Sequence, residues 1–467
     1  MGTMPVGRLL LTMALPLAIS MLVQAFYNVV DSYFVSLIST DAVTALSFAF
    51  PIQHLQISFA TGIAVGMNSL LSKSLGEGNR ERANQAAGNG IILTIVMIAL
   101  FMTFGFVGVK PYYSVFGANQ HTIDYGVDYT AICTVFCAGI FVEVLGERLL
   151  QASGRTIYTL FTQGTGAVLN IILDPILILG SEGLSQKFGI NLPFYIPRME
   201  VAGAAIATVI GQWVAAILAV IFNITKNPDV SFRFRYLLPK KDVIKTVLAV
   251  GVPSVIMMAI GSVMNFCMNQ IFMGFDDTYG QTPAAVFGIY FRLQSFFLMP
   301  LFGINNASIS IIAYNYGARK PERITKTLKL GLITALAIMF AGVLVFQLVP
   351  HVLMGIFATA EDGSGENLVK FGITALRIVS LHFPIAAVGI AIGSSFQALG
   401  NGIYSTITSL CRQLVVLVPA AYLLSLSGNV DAVWWSFPVA EIVSSVLTVI
   451  FFLKIYRKKV KPMYERG

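Results

Sequence analysis

Four carboxylates stand well inside otherwise apolar stretches of the sequence: Asp31, Glu143, Asp174 and Glu441. Glu147 lies near the end of its stretch. A carboxylate at the centre of a bilayer costs about 2.5–3.5 kcal/mol or more, so such a group faces a cavity or a partner. The chemistry open to these acids is ion binding and proton exchange. Two buried carboxyls that sense each other load and release a proton as a unit. Losing the charge rearranges hydrogen bonds and can bend a helix. The structural alternative is a buried acid capped by hydroxyls and amides. No GxxxxGK[ST] phosphate loop occurs, and no GxSxG or HExxH motif. The chain is therefore not read as an enzyme.

Depth singles out Asp31 and Asp174. The spans that carry them are expected over 9–37 and 156–180, so each acid lies six residues short of its outer end. At about 1.5 Å per residue, both sit roughly 9 Å below the outer surface. Tyr129 and Thr208 fall at a similar depth on the fourth and sixth spans. Asn170 lies one turn from Asp174 on the same helix face. Pro16, inside the first span, is a candidate hinge because it breaks one backbone bond. Pro175 frees a carbonyl beside Asp174. Glu441 is a candidate second coupling or substrate acid. Arg292, inside the eighth span, is expected to find an ion-pair partner. Trp434 and Trp435 read as interface-belt residues.

The elements that must position these groups are transmembrane helices. Of the 467 residues, 56% are hydrophobic and 11% charged, against about 25% charged in soluble domains. Runs such as 91–109, 204–224 and 330–349 are nearly free of charge. Each meets the roughly 20 residues that a bilayer crossing needs. About twelve spans are expected, in an all-α polytopic membrane protein. With the N-terminus inside, 23 basic residues fall in inner segments and 4 in outer ones. That is a positive-inside pattern with both termini cytoplasmic. It also accounts for the net charge of +8 without nucleic acid. The first run, 9–38, is too long for a cleavable signal. The four cysteines, all within spans, read as packing residues.

The chain repeats itself. At an offset of 241, Phe50, Gln53, Gly62, Ile63, Ser69, Gly76, Glu81 and Arg82 recur as Phe291, Gln294, Gly303, Ile304, Ser310, Gly317, Glu322 and Arg323. Gln151-Ala152-x-Gly154 recurs as Gln397-Ala398-x-Gly400. Pro16 and Pro253 open the first span of each half. Two six-span lobes with a parallel pseudo-two-fold repeat follow: an N-lobe (1–225), a cytoplasmic linker (226–241) and a C-lobe (242–467). The acids do not repeat: Asp174 meets Ala420, Asn170 meets Val416 and Asp31 meets Met268. A purely structural need would more naturally have kept them in both lobes, so the titrating site is placed in the N-lobe. With 34 Phe and 17 Met, a roomy apolar cavity for flat cations is expected.

These residues also carry a resemblance. Leu169–Gly180, Gln24-x-x-Tyr27-Asn28-x-x-Asp31, Gly288-Ile289-x-Phe291-Arg292-Leu293 and Gln151-Ala152-x-Gly154 resemble the multidrug and toxic compound extrusion (MATE) transporters over essentially the whole chain. Within that family the chain resembles the small-molecule efflux members of staphylococcal type. The resemblance implies an outward-open, two-lobed antiporter that exports organic, mainly cationic xenobiotics across a bacterial-type plasma membrane by alternating access. It implies an H⁺- or Na⁺-binding site at Asp31, Asn170, Asp174, Tyr129 and Thr208, and a hinge at Pro16. Gln24, Asn28, Glu441 and Arg292 are secondary or substrate-contact candidates. The seventh and tenth spans lack the interior acids of the family branch with a C-lobe sodium site. No cofactor is expected beyond H⁺ or Na⁺, and the protein is expected to be a monomer. The alternative is a lipid-linked oligosaccharide flippase of the same superfamily. Its pyrophosphate calls for many cationic groups, and the spans hold only Arg292, Arg377 and Arg412.

Overall fold

The computed structural model describes residues 1–114, 120–190, 193, 195–275, 282–355 and 364–465; for 28, 32, 36, 40, 43 and 364–367 only the backbone is described. Every regular element among them is helical. The first half holds α1 (Val6–Ser36), α2 (Thr40–Gly76), α3 (Arg80–Val107), α4 (Val109–Ser114), α5 (Gln120–Val135), α6 (Ala138–Ala152), α7 (Thr156–Phe188) and α8 (Glu200–Lys226). The second holds α9 (Lys241–Met273), α10 (Thr282–Gly317), α11 (Pro321–Leu348), α12 (Pro350–Gly355), α13 (Ser364–Ser380), α14 (Phe383–Ala398) and α15 (Gly402–Leu410), then α16 (Val418–Ser425), α17 (Val430–Trp434) and α18 (Ser436–Ile455). Ten of the helical stretches are long and apolar enough to cross a membrane. Two bent pairs, α5 with α6 at 46° and α13 with α14 at 47°, bring the number to twelve. Helices suit this sequence because each satisfies its own backbone polar groups where lipid offers none.

The helices are interrupted at definite places. In α7 the backbone turns at Gly180, with φ 67° and ψ 179°. A Cβ there would meet the Arg198 backbone nitrogen at 2.7 Å, so both conformation and space call for glycine. Between α15 and α16 the chain winds as a π-helix over Cys411–Leu417.

The chain divides into two compact units, Ile19–Val255 and Met1–Ala18 with Ile256–Gly467. The division falls inside α1 and α9, two residues past Pro16 and two past Pro253, and not in the 226–241 segment. That segment is docked onto α3. Asn84 Oδ1 accepts from the Ser231 N–H at 2.8 Å, and Asn89 Oδ1 accepts from the Lys240 N–H at 2.8 Å. Gly88 lets the Tyr236 carbonyl approach where a Cβ would stand 2.0 Å away.

Within the unit Ile19–Val255, α7 and α8 cross closely through small residues, as membrane helices do. A Cβ on Gly203 would lie 2.6 Å from the Leu177 carbonyl, and one on Gly211 would lie 2.8 Å from the Gly166 oxygen. In the other unit an aromatic cluster forms around Trp434, which is 1% exposed and stacks on Phe272 at 4.4 Å. The belt assignment is corrected for Trp434: it fills a gap between helices. Trp435 is 47% exposed.

Candidate functional site

Asp174 is fully buried on α7, and Asn170 stands one turn away. The α7–α8 crossing brings Thr208 of α8 onto Asn170. With the carboxamide oriented to satisfy both ends, Asn170 Nδ2 donates to Asp174 Oδ2 at 3.1 Å. Its Oδ1 accepts from Thr208 Oγ1 at 3.3 Å. Asp31 of α1 interacts electrostatically with Asp174 and with Tyr129. Its Oδ1 is buried with no hydrogen-bond partner among the described residues. Tyr129 of α5 is buried, and its hydroxyl accepts from Gln53 Nε2 at 3.0 Å. Four helices of one unit thus bring the five predicted residues together. Asn170, Asp174 and Thr208 are joined by hydrogen bonds, Asp31 is joined by charge, and Tyr129 is held by Gln53.

A cavity opens beside them. Asn170 and Thr208 line it, together with Gln24, Tyr27, Glu143 and Gln212. Gln24 hydrogen-bonds Tyr27, which also senses Glu143, Asp31 and Asp174 electrostatically. The side chain of Asn28 lies outside the described residues. Sequence reasoning did not select Gln53, Tyr27, Gln163, Gln212 or Glu143 for the site. Glu143 carried a signal as a carboxylate in the middle of an apolar stretch, Tyr27 stood in the first-helix motif and Gln53 in the repeat, while Gln163 and Gln212 carried none.

The remaining candidates lie in the other unit. Glu441 of α18 is buried and pairs with Arg412 Nη1 at 3.5 Å. Arg292 does not find the ion-pair partner expected of it. It is exposed on α10, and no salt bridge includes it among the described residues. The intramembrane ion pair forms instead at Arg412, which the π-helical segment carries. Pro16 lies within the continuous helix α1, two residues before the unit boundary.

The MatE family model matches residues 16–176 and again 253–423. The chain belongs to the MatE family. The double match is the repeat seen in the sequence, and it gives the two-lobe, all-α fold. A Shewanella oneidensis protein described as an FAD transporter is 27% identical over 95% of this chain and 93% of its own. The multidrug export protein MepA of Staphylococcus haemolyticus is 25% identical over 93% and 91%. Among solved structures, a MATE protein in complex with MaL6 superposes with a TM-score of 0.88 at 23% identity, covering 98% of this chain and 97% of that one. A MOP superfamily transporter from Pyrococcus furiosus, described as having a binding pocket of reverse polarity, superposes with a TM-score of 0.87 at 22% identity. MatE proteins are multi-pass membrane transporters and not enzymes, and this chain is one of them.

Proposed function

We propose that the protein is an antiporter of the plasma membrane, with both termini cytoplasmic, that exports organic cations in exchange for H⁺ or Na⁺ bound at Asp31 and Asp174. The observation that carries this reading is the position of Asn170. It lines the cavity and hydrogen-bonds Asp174 in the same geometry. Loading an ion on Asp174 changes what the Asn170 amide must satisfy, and Asn170 and Thr208 pass that change to the cavity wall. Ion and substrate then compete through shared polar groups, as antiport requires. The basic inner segments support the orientation, and the MepA relatives support small organic substrates. Acting as a monomer is part of the same proposal.

The test is transport by purified protein in proteoliposomes, with ΔpH and Na⁺ gradients imposed one at a time. One of them is expected to drive uptake of an organic cation into inside-out vesicles, and Asp31→Asn is expected to abolish it. Undiminished transport by the Asp31→Asn protein would remove Asp31 from the coupling site.

A further inference from the structure

The cavity wall is not the Phe- and Met-rich surface that the composition suggests. Its polar members are carboxamides, hydroxyls and one carboxylate, and no Phe, Met, Trp, Arg or Lys lines it among the described residues. The carboxylate is Glu143 of α6. It is only 8% exposed, and it has no hydrogen-bond partner among the described residues.

Glu147, one turn further along the same helix, provides the internal comparison. It accepts from Thr162 Oγ1 at 2.8 Å and from Gln163 Nε2 at 2.8 Å. Its oxygens are engaged by the fold, as a structural acid's should be. Glu143 lacks such caps and turns to the cavity. Gln163 belongs to that cap: its amide nitrogen is committed to Glu147 and not to Glu143. The one charged group facing this space among the described residues is therefore a carboxylate without the caps that hold Glu147.

A ligand that completes it must bring positive charge and N–H donors together. A quaternary ammonium brings charge without donors, and it is best held by aromatic faces, of which this wall offers only Tyr27. A phosphate-bearing solute meets a carboxylate with no cationic side chain beside it.

We infer that Glu143 is the substrate-recognition carboxylate of this cavity, and that the cavity takes organic ammonium or guanidinium compounds carrying N–H donors. This narrows the cargo of the proposed antiporter and rests on that reading for transport. Binding itself needs no gradient, so the two ideas fail separately.

The experiment is equilibrium binding to the full-length protein in lipid nanodiscs, by calorimetry. The probes are 4-phenylbutylammonium and its N,N,N-trimethyl derivative, which share a skeleton and a charge and differ in N–H donors. The primary ammonium is expected to bind at least about tenfold more tightly, since a site built to hydrogen-bond its ligand rejects analogues that lack the donors. In Glu143→Gln the preference is expected to collapse to within about threefold. Equal or reversed affinities in the unaltered protein would overturn the inference, as would no binding of either probe. A preference that survives Glu143→Gln would remove Glu143 from the role. The comparison in the unaltered protein needs no variant, so a folding defect cannot shield the idea. Gradient-driven transport that fails while the binding preference stands would count against the antiport reading alone.

Discussion

Asn170 serves two partners with opposite demands, donating to Asp174 and accepting from Thr208. Bonds to a charged partner contribute about 1.5–3 kcal/mol each, more than neutral ones. Asn170→Ala removes these bonds and leaves the buried Asp174 without its amide donor. Substrate-driven ion flux in proteoliposomes is expected to fall at least about tenfold; flux at the unaltered level would break the proposed link between cavity and acid. Two of the three arginines expected inside spans, Arg412 and Arg292, call for opposite expectations. Arg412 is the partner of a buried carboxylate. Arg412→Ala strands Glu441, an error that costs about 3–5 kcal/mol when the partner is fully buried. Arg412 keeps 31% side-chain exposure, so the lower end of that range is expected. Arg292 is exposed and has no salt bridge among the described residues, and Arg292→Ala should stay within about 0.5 kcal/mol. Thermal unfolding in detergent distinguishes them, and equal losses would contradict the pairing. Sequence reasoning treated both arginines as charges inside spans. Residue type and depth were legible there, but the choice of partner depends on how helices turn toward one another.

The α7–α8 crossing fixes the site because it brings Asn170 onto Thr208. Its closeness depends on glycines that spare backbone atoms from a Cβ. Gly203→Ala would place a methyl 2.6 Å from the Leu177 carbonyl. That is backbone and cannot step aside, so a loss of about 1–3 kcal/mol is expected, with a parallel drop in transport. Gly164, on α7, has nothing within 4 Å of its would-be Cβ. Gly164→Ala is expected to be neutral or slightly stabilising, because alanine favours the helix. Equal thermal shifts for the two variants would show that the crossing does not set the spacing. At this scale hydropathy revealed where the spans lie, because long charge-free runs have few other solutions. It did not reveal the 46° bend between α5 and α6 or the π-helical turn at Cys411–Leu417. Those depend on local backbone geometry that an apolar run does not encode. The acid pair was readable because polar groups are scarce in such runs. Gln163 and Gln212 of the cavity wall were not, because Gln also occurs where it simply bonds the backbone.

The sequence repeat acquires a physical meaning in the whole molecule. Gly62 and Gly303 are equivalent at the offset of 241, and each receives the first helix of the other half. A Cβ on Gly62 would meet Val255 and Gly251 of α9, and one on Gly303 would meet Leu17 and Ala18 of α1. Ala18 and Val255 are themselves equivalent when Pro16 is aligned with Pro253. The halves thus exchange the inner parts of their first helices. The unit boundaries at 18/19 and 255/256 mark where each helix passes from one unit to the other. The residues 226–241 looked like the natural boundary because charge and composition change there, whereas membership is decided by packing. A specific consequence follows for the first 18 residues. Leu9, Leu10, Met13, Ala14 and Leu17 pack with Ile304, Ala307 and Ile311 of α10. Arg323 Nη2 donates to the Met1 and Met4 carbonyls at 2.8 and 2.7 Å, and Lys320 Nζ donates to the Gly2 carbonyl at 2.8 Å. Deleting residues 1–18 should therefore loosen the unit that begins at Ile256, although the cut adjoins Ile19. Hydrogen exchange read by mass spectrometry is expected to rise in 282–317 and to change little in 156–226, since local opening follows the contacts that are lost. Faster exchange confined to the first-half helices would mean that α1 belongs, along its whole length, with the unit that follows it in sequence. The same result would leave Pro16 without a boundary to serve as a hinge.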